Sequence, residues 1–104
     1  MIIEMRTYEL KPGATHEFLK AYEAEGRALQ QEACGNLLGY FASETGELNR
    51  IVHLWGFASF EDRQRRRSKL AASEEWRAFV GKTVHLVASQ HTELLAPTAF
   101  SPIR

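Results

Sequence analysis

Hydrophobic and polar positions alternate from Ile2 to Leu10, with Ile3, Met5 and Thr7 on one side and Glu4, Arg6 and Tyr8 on the other. A period of two with β-branched and aromatic content predicts a strand. Lys11-Pro12-Gly13 ends it, because proline lacks the N–H a ladder needs and glycine permits a turn. From about Thr15 to Gln31 the period lengthens: Phe18, Tyr22, Leu29 and Ala33 recur at roughly helical spacing among charged residues. Gly35-Asn36 predicts the helix stop, since both residues tolerate the left-handed conformation. Leu38 to Glu44 and Asn49 to Phe57 read as two strands joined by a short turn at Thr45–Leu48, hence an antiparallel hairpin. Ser59-Phe60-Glu61-Asp62 opens a helix to about Ala72 with a capping-box arrangement. Ser73 caps a further helical stretch carrying Trp76, Phe79, Val80, Val84 and Val87, and Gln90 to Ala96 is a last strand. Pro97 and Pro102 predict an extended tail.

The order β-α-β-β-α(α)-β is the split βαβ pattern, so the expected class is α+β with a ferredoxin-like βαββαβ domain over residues 1–104. Its usual antiparallel four-stranded sheet has strand order 4-1-3-2, with the helices on one face. Polarity assigns Ile3, Met5, Val52 and Leu54 to the face under the helices. Arg6, Tyr8, Ile51, His53, Trp55 and Phe57 then fall on the open face, joined by His91, Glu93 and Leu95 from the last strand. Leu38 and Tyr40 extend that face in one register of the second strand, and Gly39 and Phe41 in the other. A face with Tyr8, Ile51, Trp55 and Phe57 is too apolar for water, and a second copy laid sheet to sheet is the simplest cover. The expected partner is therefore the chain itself, as a homodimer or higher homo-oligomer.

Composition narrows the function without naming it. Thirteen basic and thirteen acidic residues cancel among 104, which gives no support for nucleic acid or an anionic membrane as partner. No window approaches the roughly 20 apolar residues of a membrane helix, and the N-terminus has no signal-like stretch. The single cysteine, Cys34, allows no internal disulfide and fits a reducing compartment, so a cytoplasmic location is expected. His16, His53, His85 and His91 form no compact ligand spacing with Cys34, and no metal or other cofactor is expected. There is no serine elbow, phosphate loop or dinucleotide fingerprint.

Glu4-Met5-Arg6-Thr7-Tyr8-Glu9-Leu10-Lys11-Pro12-Gly13 resembles the opening motif of NIPSNAP domains. Gly46-Glu47-Leu48-Asn49, Val52-His53-Leu54-Trp55, Ser59-Phe60-Glu61-Asp62-Arg63, Arg66-Arg67, Trp76 and the ending Leu94–Pro102 continue the resemblance in order, with Ala99 as a departure where a second proline is expected. The resemblance implies a dimeric α/β barrel. It also implies kinship of fold with small antibiotic-biosynthesis monooxygenases, haem-degrading monooxygenases and lactone isomerases. Fold kinship points to a small-molecule cavity but not to its occupant.

The candidate catalytic residues are His53, Tyr8 and Arg6, and the candidate ligand-binding residues are Trp55, Tyr40 and His91. His53 is read as a general base or axial haem ligand, or as a histidine hydrogen-bonded within a dimer core. Tyr8 donates to a substrate oxygen or tethers a strand; Trp55 stacks on a flat ligand or fills the barrel. Arg6 clamps a carboxylate or pairs with Glu4, Glu93 or a partner-chain acid. The run Arg63-Gln64-Arg65-Arg66-Arg67 follows an acidic first turn, and one or two of its arginines are expected along packed surface rather than on nucleic acid. Two functions compete: a cofactor-independent enzyme or binding protein of monooxygenase or isomerase type, with a cavity of a few hundred Å³ touching His53 in the dimer, and a non-catalytic homodimeric interaction module.

Overall fold

A computed structural model of the protein describes residues 1–104. Strand β1 is Ile2–Leu10. A helical stretch follows as α1 (Thr15–Ala21), a π-helical turn (Tyr22–Gly26) and α2 (Arg27–Cys34). Gly35 stops it at φ +85°, a left-handed value that suits glycine. Strands β2 (Asn36–Ala42) and β3 (Arg50–Phe57) form the hairpin. Helix α3 (Phe60–Ala71) and helix α4 (Glu74–Thr83) come next, then a 3₁₀ turn (Val84–Leu86) and β4 (Val87–Leu95). The sheet is antiparallel throughout, in the order β2-β3-β1-β4 that the split βαβ pattern predicts.

Several boundaries differ from the sequence reading. Strand β2 starts and ends two residues early, directly after the Gly35 stop, and β3 starts one residue late, so the hairpin loop is longer. The second helical stretch ends at Thr83, and Val87 already belongs to β4. The π turn was not anticipated. Its Gly26 sits where a Cβ would lie 2.9 Å from the Phe79 ring of α4 and 3.0 Å from Tyr22, so the missing side chain permits the close approach of the π turn to α4. The caps behave as read: Ser59 Oγ accepts from the Asp62 N–H at 3.0 Å, and Ser73 Oγ from the Trp76 N–H at 3.2 Å.

The assignment of sheet faces is inverted. Directly opposed residues of an antiparallel pair share a face. Glu4 faces Trp55, Arg6 faces His53 and Tyr8 faces Ile51. These six lie beneath the helices: Glu4, Ile51, His53 and Trp55 are fully buried, Tyr8 is 7% exposed, and Arg6 is half-buried. The open face instead carries Ile3, Met5 and Thr7 opposite Gly56, Leu54 and Val52, with Leu95, Glu93 and His91 alongside on β4. The face with Tyr8, Ile51, Trp55 and Phe57 is the one that is covered. Its cover is the chain's own helices, because β3 places Ile51, Trp55 and Phe57 in one phase, and burying those large side chains gains more than burying Val52 and Leu54. β1 must then follow β3 in register, and Glu4 and Arg6 go inside with it.

Candidate functional site

The helix-covered face has an aromatic end and an ionic end. At the aromatic end Tyr8, Leu10, Phe18, Tyr22, Ile51, Phe79 and Leu86 form one buried cluster. The rings of Tyr22 and Tyr40 stack at 4.8 Å between centroids, and Tyr40 stacks on His53 at 4.5 Å. Tyr8 meets His53 edge-on at 4.9 Å. Helix α1 supplies Phe18, and the π turn opens with Tyr22, whose hydroxyl donates to Gln30 Oε1 at 2.6 Å. A cavity of about 50 Å³ lies here, lined by Tyr8, Tyr22, Gln30, Tyr40, Trp76 and Phe79 among others. That is room for a few waters within the single chain, and neither His53 nor Trp55 lines it.

His53 joins the two ends. Its Nδ1 accepts a hydrogen bond from Trp55 Nε1 at 2.7 Å. An indole N–H only donates, so the neutral ring carries its proton on Nε2. Burial, with Arg6 and Arg67 nearby, pushes the His53 pKa down to about 3. At neutral pH the ring is therefore an uncharged N–H donor. As a general base it would need a free nitrogen of higher proton affinity, and as a haem ligand it would need the Nε2 lone pair. His53 Nε2, Tyr40 Oη and Gln30 Nε2 are buried polar atoms without a partner in the chain, as is Thr15 Oγ1 at the start of α1. Burial raises the pKa of Tyr40 and Tyr22, so both phenols stay protonated.

At the ionic end Glu4 Oε1 accepts from Arg6 Nη1 at 3.1 Å, and Glu4 Oε2 accepts from Arg63 Nε. Arg6 also donates through Nε to Tyr8 Oη at 3.1 Å and through Nη1 to Thr92 Oγ1 at 3.2 Å. Cys34, Trp55, Phe57 and Leu70 pack beside this group. Burial raises the Cys34 pKa, partly opposed by Arg67.

Of the sequence candidates, the structure brings Arg6, Tyr8, Tyr40, His53 and Trp55 together. His91 is not among them: it opposes Thr7 on the open face, with Glu93 opposite Met5, so the suggested Arg6–Glu93 pair does not form. The sequence reading missed Tyr22, Gln30 and Phe79 as neighbours of the site. It also missed Arg63 as the second partner of Glu4; the only local signal was the position of Glu4 in phase with Tyr8 and Leu10. No group of three or more His, Cys, Asp or Glu side chains is placed to hold a metal ion, and no helix is long and apolar enough to cross a membrane.

Comparison with known proteins fits this architecture. The NIPSNAP family model matches residues 3–102. A NIPSNAP family protein of unknown function from Agrobacterium tumefaciens superposes with a TM-score of 0.97 at 42% identity, covering 100% of this chain and 94% of that one. Protein NipSnap of Drosophila melanogaster is 36% identical over 97% of the chain. The chain spans 36% of that relative, and 19% to 42% of the other curated relatives compared. An antibiotic biosynthesis monooxygenase shares the fold at a TM-score of 0.68 and 16% identity, over 94% of this chain and 99% of that one. The chain belongs to the NIPSNAP family.

Proposed function

We propose that the chain acts as a homodimer in which each copy takes a small organic molecule between its own sheet and helices. The observation that carries this reading is the set of buried, unpartnered polar atoms on Gln30, Tyr40 and His53 within an aromatic wall. Leaving such groups unpaired costs roughly 1–3 kcal/mol each, and apolar walls with a few polar groups are what ligand sites look like. The small cavity means that a ligand larger than a few waters enters by displacing side chains, with Trp76 and Val80 of α4 at its wall. Tyr40 at the cavity wall would donate to the ligand, and His53, reached once side chains are displaced, would likewise donate rather than abstract a proton. The fold shared with an antibiotic biosynthesis monooxygenase is compatible with a cofactor-independent oxygenation or isomerisation there.

Dimerisation rests on a separate observation. The molecule is a slab of 39 × 35 × 19 Å whose open sheet face carries Ile3, Met5, Val52 and Leu54, with Phe41 55% and Leu95 40% exposed. A self-complementary contact of two such faces would bury them.

Phenol is the probe that tests the site, because it combines a small ring with one hydrogen-bonding group. It should perturb Trp76 fluorescence saturably. Tyr40→Phe should bind phenol more weakly while raising the Tm of the free protein, since it deletes an unpaired buried hydroxyl. No saturable binding, with the stability gain alone, would reduce the cluster to core packing. Sedimentation should give twice the chain mass, and Leu54→Arg should give the monomer.

A further inference from the structure

The arginines of α3 do more than balance the acids of its first turn. Arg65 and Arg66 pair with Asp62 at 2.6 and 3.0 Å. Arg63 turns inward to Glu4. Arg67, one turn further along the same side, meets no carboxylate within ion-pair distance; Cys34 Sγ lies 4.0 Å from its Nη1. Arg6 from β1 and Arg63 thus share one carboxylate, both of whose oxygens are already used, and Arg67 lies one helical turn beyond Arg63 beside Cys34 with no acid of its own. Arg6 and Arg63 are only 11% and 16% exposed, so water screens the surplus positive charge weakly. Arg6 stands opposite His53 across the β1–β3 pair, so the surplus borders the site.

The cluster also has an open side. Arg63 Nη1 donates to Gln64 Oε1 at 3.1 Å, and none of the buried, unpartnered side-chain atoms belongs to these arginines, so the nitrogens left without a partner keep contact with solvent. β4 is exposed at every position after Val87, including Thr92 and Leu94, which share the helix side of the sheet with Arg6 and Glu4. The helices leave this strip uncovered.

We propose that Arg6, Arg63 and Arg67 form an oxyanion site that takes the carboxylate or phosphate group of a small organic molecule. Glu4 is the buried clamp that holds Arg6 and Arg63 in position, and the Thr92 hydroxyl is a neutral donor at the rim. Guanidinium forks suit both groups because each offers two oxygens to parallel N–H donors. This site does not depend on the aromatic cavity holding a ligand.

The full chain, in low-salt buffer, is titrated separately with inorganic phosphate and with benzoate, following the arginine Nε–H resonances and the Tm. At least one anion should bind saturably, and which one binds more tightly tells a phosphoryl from a carboxylate group. Arg67→Gln leaves both Glu4 contacts intact and should weaken binding about tenfold. Lys82→Gln, which removes an exposed partner of Glu25, should leave it unchanged. Absence of binding by both anions, or equal weakening by Arg67→Gln and Lys82→Gln, overturns the proposal.

Discussion

The two ends of the helix-covered face are held by different physics. The aromatic end is a set of rings at 4.5 to 6.4 Å spacing, where stability comes from apolar area and shape. The ionic end is a fully buried carboxylate between two arginines, where removing the charges from water costs several kcal/mol and the pairing returns it only if every partner stays in place. A ring cluster degrades gradually as atoms are removed. A buried ion group fails abruptly, because each member leaves another uncompensated. His53 lies on the boundary, stacked on the Tyr40 ring and hydrogen-bonded to Trp55.

Breaking the ionic end should have the largest effect. Arg63→Ala leaves Glu4 with Arg6 alone, and urea unfolding should show a loss of roughly 3–5 kcal/mol. An effect below about 1 kcal/mol, the usual value for a surface pair, would show that Glu4 is hydrated in solution.

The boundary should be sensitive to acid. The His53 pKa is near 3 in the fold and ordinary when unfolded, so the unfolded state binds the extra proton as the pH falls through the unfolded value. Stability from this group is complete above about pH 6.5 and is lost progressively toward pH 3. Between pH 7 and 4.5 the loss amounts to about 2–3 kcal/mol. His53→Gln should be less stable at neutral pH, through the lost packing, but should show a flatter profile over that range. Parallel profiles for the two proteins would place the proton on another group.

The smallest effect is expected at the aromatic end. Gly26→Ala adds a methyl 2.9 Å from the Phe79 ring. Overpacking of this kind costs about 1–3 kcal/mol, and better helix propensity returns up to about 1 kcal/mol, so the net loss should be about 1 kcal/mol. Phe79→Leu in the same chain should relieve much of it. A stabilised Gly26→Ala protein would mean that the π turn relaxes freely and that the close approach to Phe79 does not depend on the missing side chain.

Much of the fold was legible along the chain because it is encoded locally. The alternation of Ile2–Leu10, the glycine stop at Gly35, the short β2–β3 connection and the serine caps each depend on residues a few positions apart. Together they imply the βαββαβ order and the sheet β2-β3-β1-β4. The gathering of Arg6, Tyr8, Tyr40, His53 and Trp55 was also within reach, because β1 and β3 are neighbours and alternation places these residues in phase.

What only the tertiary structure decided is which side of the sheet that group occupies. Residue polarity argued for turning Glu4 and Arg6 outward, since a lone buried charge is costly. The term that reverses the choice is Arg63, which is 59 residues from Glu4 in sequence and is carried to it by α3. With that partner, the strand can follow the large side chains of β3 into the core, and the ion group is buried as a unit. The sequence by itself determined the elements, their order and the in-phase set of residues. The side on which that set lies, and hence whether it faces a partner or its own helices, followed from the burial of the large β3 side chains together with a long-range charge pair that no local pattern records.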